Sequence, residues 1–284
     1  MNTRAYRVNR QNRSFRNIAT IAAISALSLS GFIASVVGVS ESQASEPTRT
    51  SLYGTAQPLG DGTMRTYVEM VNGVPTEVGV ALSERALENL PSGHHDPGGI
   101  VFEGHHLMWE YVLDLPVDNP TPFQHVALNW NLNGHEPAGI YDKPHFDFHF
   151  NLISDAERRT IVAEDPKFEE KAARHPAPTH VPAGYAALPG GVPLMGAHWI
   201  DPTSPELNGQ QFGQTFIFGT WDGELIFAEP MITKAFLDAK PSFSVEIPVP
   251  EQVDVPGYYP TRYGIRWDEE RREYRVSLEG LVEK

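Results

Sequence analysis

Pro144-His145-Phe146-Asp147-Phe148-His149-Phe150 is the stretch whose reading decides the fold. Aromatic and polar residues alternate strictly along it, and strand side chains point to opposite faces in turn. His145, Asp147 and His149 therefore share one face, while Phe146, Phe148 and Phe150 share the other. The phenylalanine face is expected in a core. The other face carries groups that bind metal or move protons.

Working outward, the same short-strand texture continues. The chain has 24 Gly and 24 Pro scattered between short apolar runs, which predicts many turns joining many strands. Residues 64–71 and 76–82 read as a hairpin across Asn72-Gly73-Val74-Pro75, and residues 214–218 and 224–229 as another around Asp222-Gly223. On the second strand of that pair Leu225, Phe227 and Glu229 are expected on one face. Residues 123–132, 243–247, 263–267 and 273–278 complete the set of strands, with Asn133-Gly134-His135-Glu136-Pro137 as a turn. Short helices are predicted after Ser83 to Leu90, over 155–163 behind the cap Ser154, over 166–174 and over 234–239. Residues 176–193, rich in proline and glycine, read as a long surface excursion landing at Met195-Gly196-Ala197-His198-Trp199-Ile200-Asp201. The fold class is mainly β: an antiparallel barrel or sandwich with a few short helices.

The first residues are different material. Arg4, Arg7, Arg10, Arg13 and Arg16 precede an uncharged stretch to Ser40, and Ser42-Gln43-Ala44 offers small residues for cleavage. Residues 1–44 thus read as a secretory signal, with retention as a membrane anchor the alternative. Residues 45–60 read as a flexible lead-in and residues 61–284 as one β-rich domain. Localisation is expected to be secreted or periplasmic. Cleavage takes five arginines and one glutamate from 22 basic and 36 acidic residues, leaving 17 and 35 and a net charge of −18. Such a surface repels nucleic acid and anionic lipid, so neither nucleic acid nor, after cleavage, membrane is an expected partner. The absence of cysteine excludes thiolate nucleophiles and thiolate metal sites, and leaves stability to the core, a bound ion or oligomerisation.

For chemistry, a metal needs several donors within about 2.0–2.3 Å of one point. Strand neighbours two apart lie roughly 6.6 Å apart on one face, close enough for two such side chains to meet. His145 and His149, four apart, are about 13 Å from each other on a straight strand, so both grip one ion only across a bulge. The better set takes two of His145, Asp147 and His149 and adds His198 and Glu229 from other strands; the leading arrangement is His145, His149 and His198, assisted by Asp147 and Glu229. That His/carboxylate set suits a divalent metal, Zn, Fe or Mn. The alternative role for Asp147 is to hold an imidazole in its ligating tautomer. Against this stands the plain reading of a half-buried strand with its polar side in water. His135, in a turn, reads as exposed, and His94, His95, His105, His106 and His125 have no assigned role. No Gly-x-Ser-x-Gly elbow, phosphate-cradling Gly-x-x-x-x-Gly-Lys, dinucleotide glycine fingerprint or His-Glu-x-x-His helix is present.

Residues 123–150, with Trp130-Asn131, Gly134-His135 and the Phe/His strand, resemble a family of exported bacterial proteins classed as a domain of unknown function. Val192 to Asp201 and Phe227-Ala228-Glu229-Pro230-Met231-Ile232-Thr233 resemble two further blocks, so the likeness runs from about Gly54 onward. It implies a β-rich, homo-oligomeric fold and assigns no catalytic residue. Cupins are similar in hanging His-x-His and a Glu inside a small barrel, but the motif here is His-x-Asp-x-His. Two functions are expected from different classes: a metal-binding protein acting on a small-molecule ligand, or a non-enzymatic oligomeric envelope or stress protein.

Overall fold

The computed structural model describes residues 46–93, 99–102 and 106–284. The signal-like residues 1–44 and His94, His95 and His105 lie outside them. In chain order the strands are β1 (Arg49–Tyr53), β2 (Gln57–Leu59), β3 (Gly62–Val71), β4 (Val74–Ser83), β5 (Gly99–Phe102), β6 (His106–Asp114), β7 (His125–Asn131) and β8 (His145–Asn151). They continue as β9 (Ala186–Ala187), β10 (Ala197–Ile200), β11 (Gln214–Trp221), β12 (Glu224–Thr233), β13 (Ser242–Glu246), β14 (Tyr258–Tyr259), β15 (Arg262–Asp268), β16 (Glu273–Glu279) and β17 (Val282–Glu283). The short helices are α1 (Asp155–Arg158), α2 (Phe168–Ala172) and α3 (Lys234–Asp238).

Two antiparallel sheets carry the molecule. One runs β1-β3-β4-β16-β15-β13, with β2 beside β3; the other runs β5-β6-β7-β8-β12-β11-β10-β9. Among the described residues neither closes on itself, so the arrangement is sandwich-like rather than a barrel. The core between the sheets takes Val68, Val78, Val80, Leu82, Ile265, Val276 and Leu278 from the first and Trp109, Leu128, Trp130, Phe146, Phe148, Phe150 and Ile232 from the second. Phe146, Phe148 and Phe150 are fully buried, and the Phe146 ring lies 4.6 Å from that of Trp130. Burying each such ring contributes roughly 1.5–3 kcal/mol.

The hairpin turns follow from their residues. Asn72-Gly73 and Asp222-Gly223 both have positive φ at the two central positions, the two-residue geometry that matches strand twist. Pro75, expected in the first turn, lies instead within β4 beside a register shift at Glu69/Met70. Residues 45–60 are not a free lead-in: Arg49–Tyr53 pairs along Val71–Tyr67, and Gln57–Leu59 along Met64–Gly62. An edge strand needs only backbone donors and acceptors, so its polar composition conceals it.

The helix expected over 155–163 stops at Arg158. Ser154 and Glu157 form a reciprocal capping box, as their spacing predicts. Beyond it Thr160 Oγ1 donates to the Glu157 carbonyl, and the buried Arg158 guanidinium is held by Glu110 and Asp155. The Thr160 contact competes with the helical bond of that carbonyl.

The second face of β8 is not in water. His145, Asp147, His149 and Asn151 are all buried, as are His125, Asn129 and Asn131 on β7 beside them. Two smaller apolar clusters seal this face: Tyr141, Phe212, Ile217 and Met231 at one end, Ile161, Phe168, Ile226 and Phe227 at the other. The Pro-rich excursion folds back over it, with Gly191 so close to Ala172 that an added Cβ would approach within 2.8 Å.

Candidate metal centre

β8 and β12 are antiparallel neighbours, with Ala228 opposite Phe150 and Met231 opposite Asp147. This register sets Glu229 across from His149, and His149 Nε2 lies 3.3 Å from Glu229 Oε2. His198 comes from β10, where it pairs with Gly219 of β11. The three supply ligand atoms that all lie within 4.8 Å of one another.

Phe227 spaces the two imidazoles. Its ring meets His149 edge-on at 4.9 Å and His198 at 5.7 Å. The ring lies over Gly219, where an added Cβ would come within 2.0 Å of it. A bulge makes this arrangement: β11 and β12 shift register between Gly219 and Thr220, so Ile226 is the extra residue. Ile226 and Phe227 consequently both pack outward, and Leu225 turns into the sandwich core. The expectation that Leu225, Phe227 and Glu229 share a face thus fails at Leu225.

His145 and Asp147 belong to a second group. His145 Nε2 lies 3.1 Å from Asp147 Oδ1, and His135 Nε2 lies 3.4 Å from Asp147 Oδ2. His135, expected as a merely exposed turn residue, is half-buried in this group. Its placement comes from Gly134, which has positive φ and sits so tightly on the Tyr141 carbonyl that a Cβ would come within 1.9 Å. The glycine before His135 was the available signal. The five residues anticipated as one set therefore divide between two groups, as straight-strand geometry requires of His145 and His149.

The tautomers are set by backbone. His149 Nδ1 donates to the Ala127 carbonyl at 3.2 Å, His145 Nδ1 to Lys143 at 2.7 Å and His135 Nδ1 to Glu136 at 2.7 Å. A carbonyl only accepts, so each Nδ1 carries the proton and each Nε2 turns to a carboxylate. This is the orientation that ligating histidines adopt.

Burial dominates the electrostatics. It pushes the His149 imidazole down to about 4 and the His198 imidazole down to about 3. Glu229 moves the other way: burial, then the neighbouring Asp147 charge, raise its carboxyl well above the ordinary value. For Asp147 burial also acts to raise the carboxyl, but His145 and His135 outweigh it and hold it well below. The first group therefore presents two imidazoles that are neutral at pH 7 and a carboxyl that keeps its proton to higher pH than an ordinary glutamate.

Both groups open on one cavity of about 300 Å³, also lined by Met108, Asn131, Tyr141, Leu188 and Met195. Its walls are mostly apolar with convergent polar groups, the composition of small-molecule sites. Among the described residues that line it, none is Lys or Arg. His125, on the same strand face, lies outside the cavity, 3.9 Å from Asp155.

Residues 71–130 match the model of the TTHB210-like family, described as "Hypothetical protein TTHB210". The matched span ends at Trp130 and contains none of the six candidate ligands, and the three blocks that carry the broader likeness also lie mainly beyond it. No curated protein and no solved structure matches the chain.

Proposed function

We propose that this protein binds a divalent metal through His149, His198 and Glu229, and that the open side of the ion faces a small molecule held in the cavity. One observation carries the reading: His149 Nε2 and Glu229 Oε2 face each other at 3.3 Å, both buried and both without a hydrogen-bond partner. Without an ion only a proton on Glu229 can join these two acceptors; once that proton is lost, two unpaired buried acceptors would cost on the order of 1–3 kcal/mol each. A cation between them removes that cost, and donors separated by 3.3 Å suit ligand bonds of about 2.0–2.3 Å.

Two imidazoles and one carboxylate suit Zn, Fe or Mn. A three-residue set leaves a coordination position for water or an oxygen-bearing ligand, which the metal polarises. Export rests on the layout of residues 1–44, and a homo-oligomeric state on the family likeness; both are part of the proposal.

Elemental analysis of the untagged protein, purified without chelator, tests the metal. At least one Zn, Fe or Mn per chain, with one ion fewer in His149→Ala and in His198→Ala, is the expected result. Metal far below one per chain after reloading with each of the three ions would overturn the reading.

A further inference from the structure

His135, His145 and Asp147 are not spent on the first site. Their ligand atoms also lie within 4.8 Å of one another; His135 and Asp147 line the same cavity as the first site, and His145 is buried behind them. His145 and His135 each hold their Nδ1 proton on a backbone carbonyl, so the two Nε2 atoms converge on opposite oxygens of one carboxylate. Asp147 is 3% exposed, and its Oδ1, which faces His145, has no hydrogen-bond donor. Its Oδ2 accepts from the Asn131 amide at 2.6 Å, and that same amide nitrogen lies 3.4 Å from His145 Nε2. Deprotonated at Nε2, the two imidazoles offer lone pairs beside a carboxylate oxygen, a donor set suited to a divalent cation.

We infer that His135, His145 and Asp147 form a second divalent-cation site, facing the same cavity as the first. The two sites share no residue, so each stands or falls on its own. Asp147 and His149 are two apart on one face of β8 and the groups share no residue, so the two ions are separate centres on one cavity, able to hold two donor groups of one ligand. Asn131 serves as the positioning residue, fixing the Asp147 carboxylate so that Oδ1 faces the site.

Zinc alone is the probe, added to metal-free, untagged protein; stoichiometry is read by elemental analysis after gel filtration and by titration calorimetry. Two ions per chain are expected. His135→Ala should remove one and leave the other, and because His135 is half-buried in a loop this variant keeps the fold, as circular dichroism and thermal melting would show. His149→Ala combined with His198→Ala should remove the other ion. One ion per chain, kept in His135→Ala and lost in the double variant, would overturn this inference and leave the first site standing. One ion lost in His135→Ala and kept in the double variant would overturn the first site and support this one. No ion at all would overturn both.

Discussion

His149 and Glu229 face each other across β8 and β12, with Nε2 and Oε2 3.3 Å apart and neither bonded to anything else. With the His149 proton held on Nδ1 by Ala127, the metal-free contact is stable only if the Glu229 carboxyl carries the hydrogen between them. Burial and Asp147 favour that state by raising the carboxyl. Glu229 is thus a group that changes role on metal binding, from proton carrier to ligand.

Glu229→Gln separates the two roles. The amide keeps the shape and can donate to His149 Nε2, so the metal-free protein should melt within a few degrees of wild type, a change of about 0.5 kcal/mol or less. Metal affinity should fall by more than about 100-fold, beyond the 10- to 100-fold typical of groups that only orient a ligand. Competition with a chromophoric chelator measures it, and unchanged affinity would remove Glu229 from the ligand set.

Metal binding should release one proton per ion at the first site. Above pH 6.5 the histidines, pushed down to about 4 and about 3, are already neutral, so the raised Glu229 carboxyl is the group with a proton left to lose. Affinity should therefore rise about tenfold per pH unit from pH 6.5 up to the raised Glu229 value. Calorimetry of the His135→Ala variant in two buffers of different ionisation enthalpy counts the proton. The folded protein without metal has its own pH dependence. Unfolded His149 and His198 bind protons below the ordinary value of 6.5, whereas in the folded state they resist until about 4 and about 3. The unfolded state then holds more protons, and stability is lost as pH falls from 6.5 toward 4, with His125 acting in the same direction. Raised Glu229 acts oppositely above 4.5, so the acid-side loss is read cleanly in Glu229→Gln. Its size is on the order of 3 kcal/mol for His149 alone. A flat denaturant midpoint between pH 7 and 5 in that variant would contradict the burial argument.

Phe148→Ala should cost about 3–5 kcal/mol, as a fully buried ring at the centre of the sandwich core. The metal stoichiometry of the surviving folded fraction should stay at the wild-type value, because Phe148 points away from His149 and Glu229. Urea unfolding followed by tryptophan fluorescence gives the energy, and a loss under 1 kcal/mol would mean that the core lies elsewhere.

Much of this architecture is legible locally. The alternation from His145 to Phe150 and the Asn72-Gly73 and Asp222-Gly223 turns carry their geometry within a few residues. What escapes local reading depends on contacts made across the sheet or between loops. Leu225 changes face because a bulge forms opposite Gly219, a matter of register between strands. His135 enters the site because Gly134 lets its loop lie against the Tyr141 carbonyl. The strand β1 is recognisable only through its partner β3, since its own side chains are exposed or half-buried. The division of the ligands follows directly from strand spacing, whereas the burial of their face depends on a Pro-rich segment whose path no periodicity announces.

Gly219→Ala tests whether the spacing of His149 and His198 is built by Phe227. The new methyl would fall 2.0 Å from the Phe227 ring, and the ring must move, since β11 and β12 are held by their ladder. Phe227 touches both imidazoles edge-on, so its displacement should pull the two donors out of register and lower metal affinity at the first site by roughly tenfold or more. Overpacking should also cost about 1–3 kcal/mol of stability. Stability alone cannot distinguish spacing from general damage; Phe227→Leu can. Combined with Gly219→Ala, the smaller side chain relieves the clash and should restore stability, yet it supplies no ring between the imidazoles, so metal affinity should stay low. Recovery of affinity together with stability in the double variant would show that Phe227 fills space and does not set the distance between the ligands.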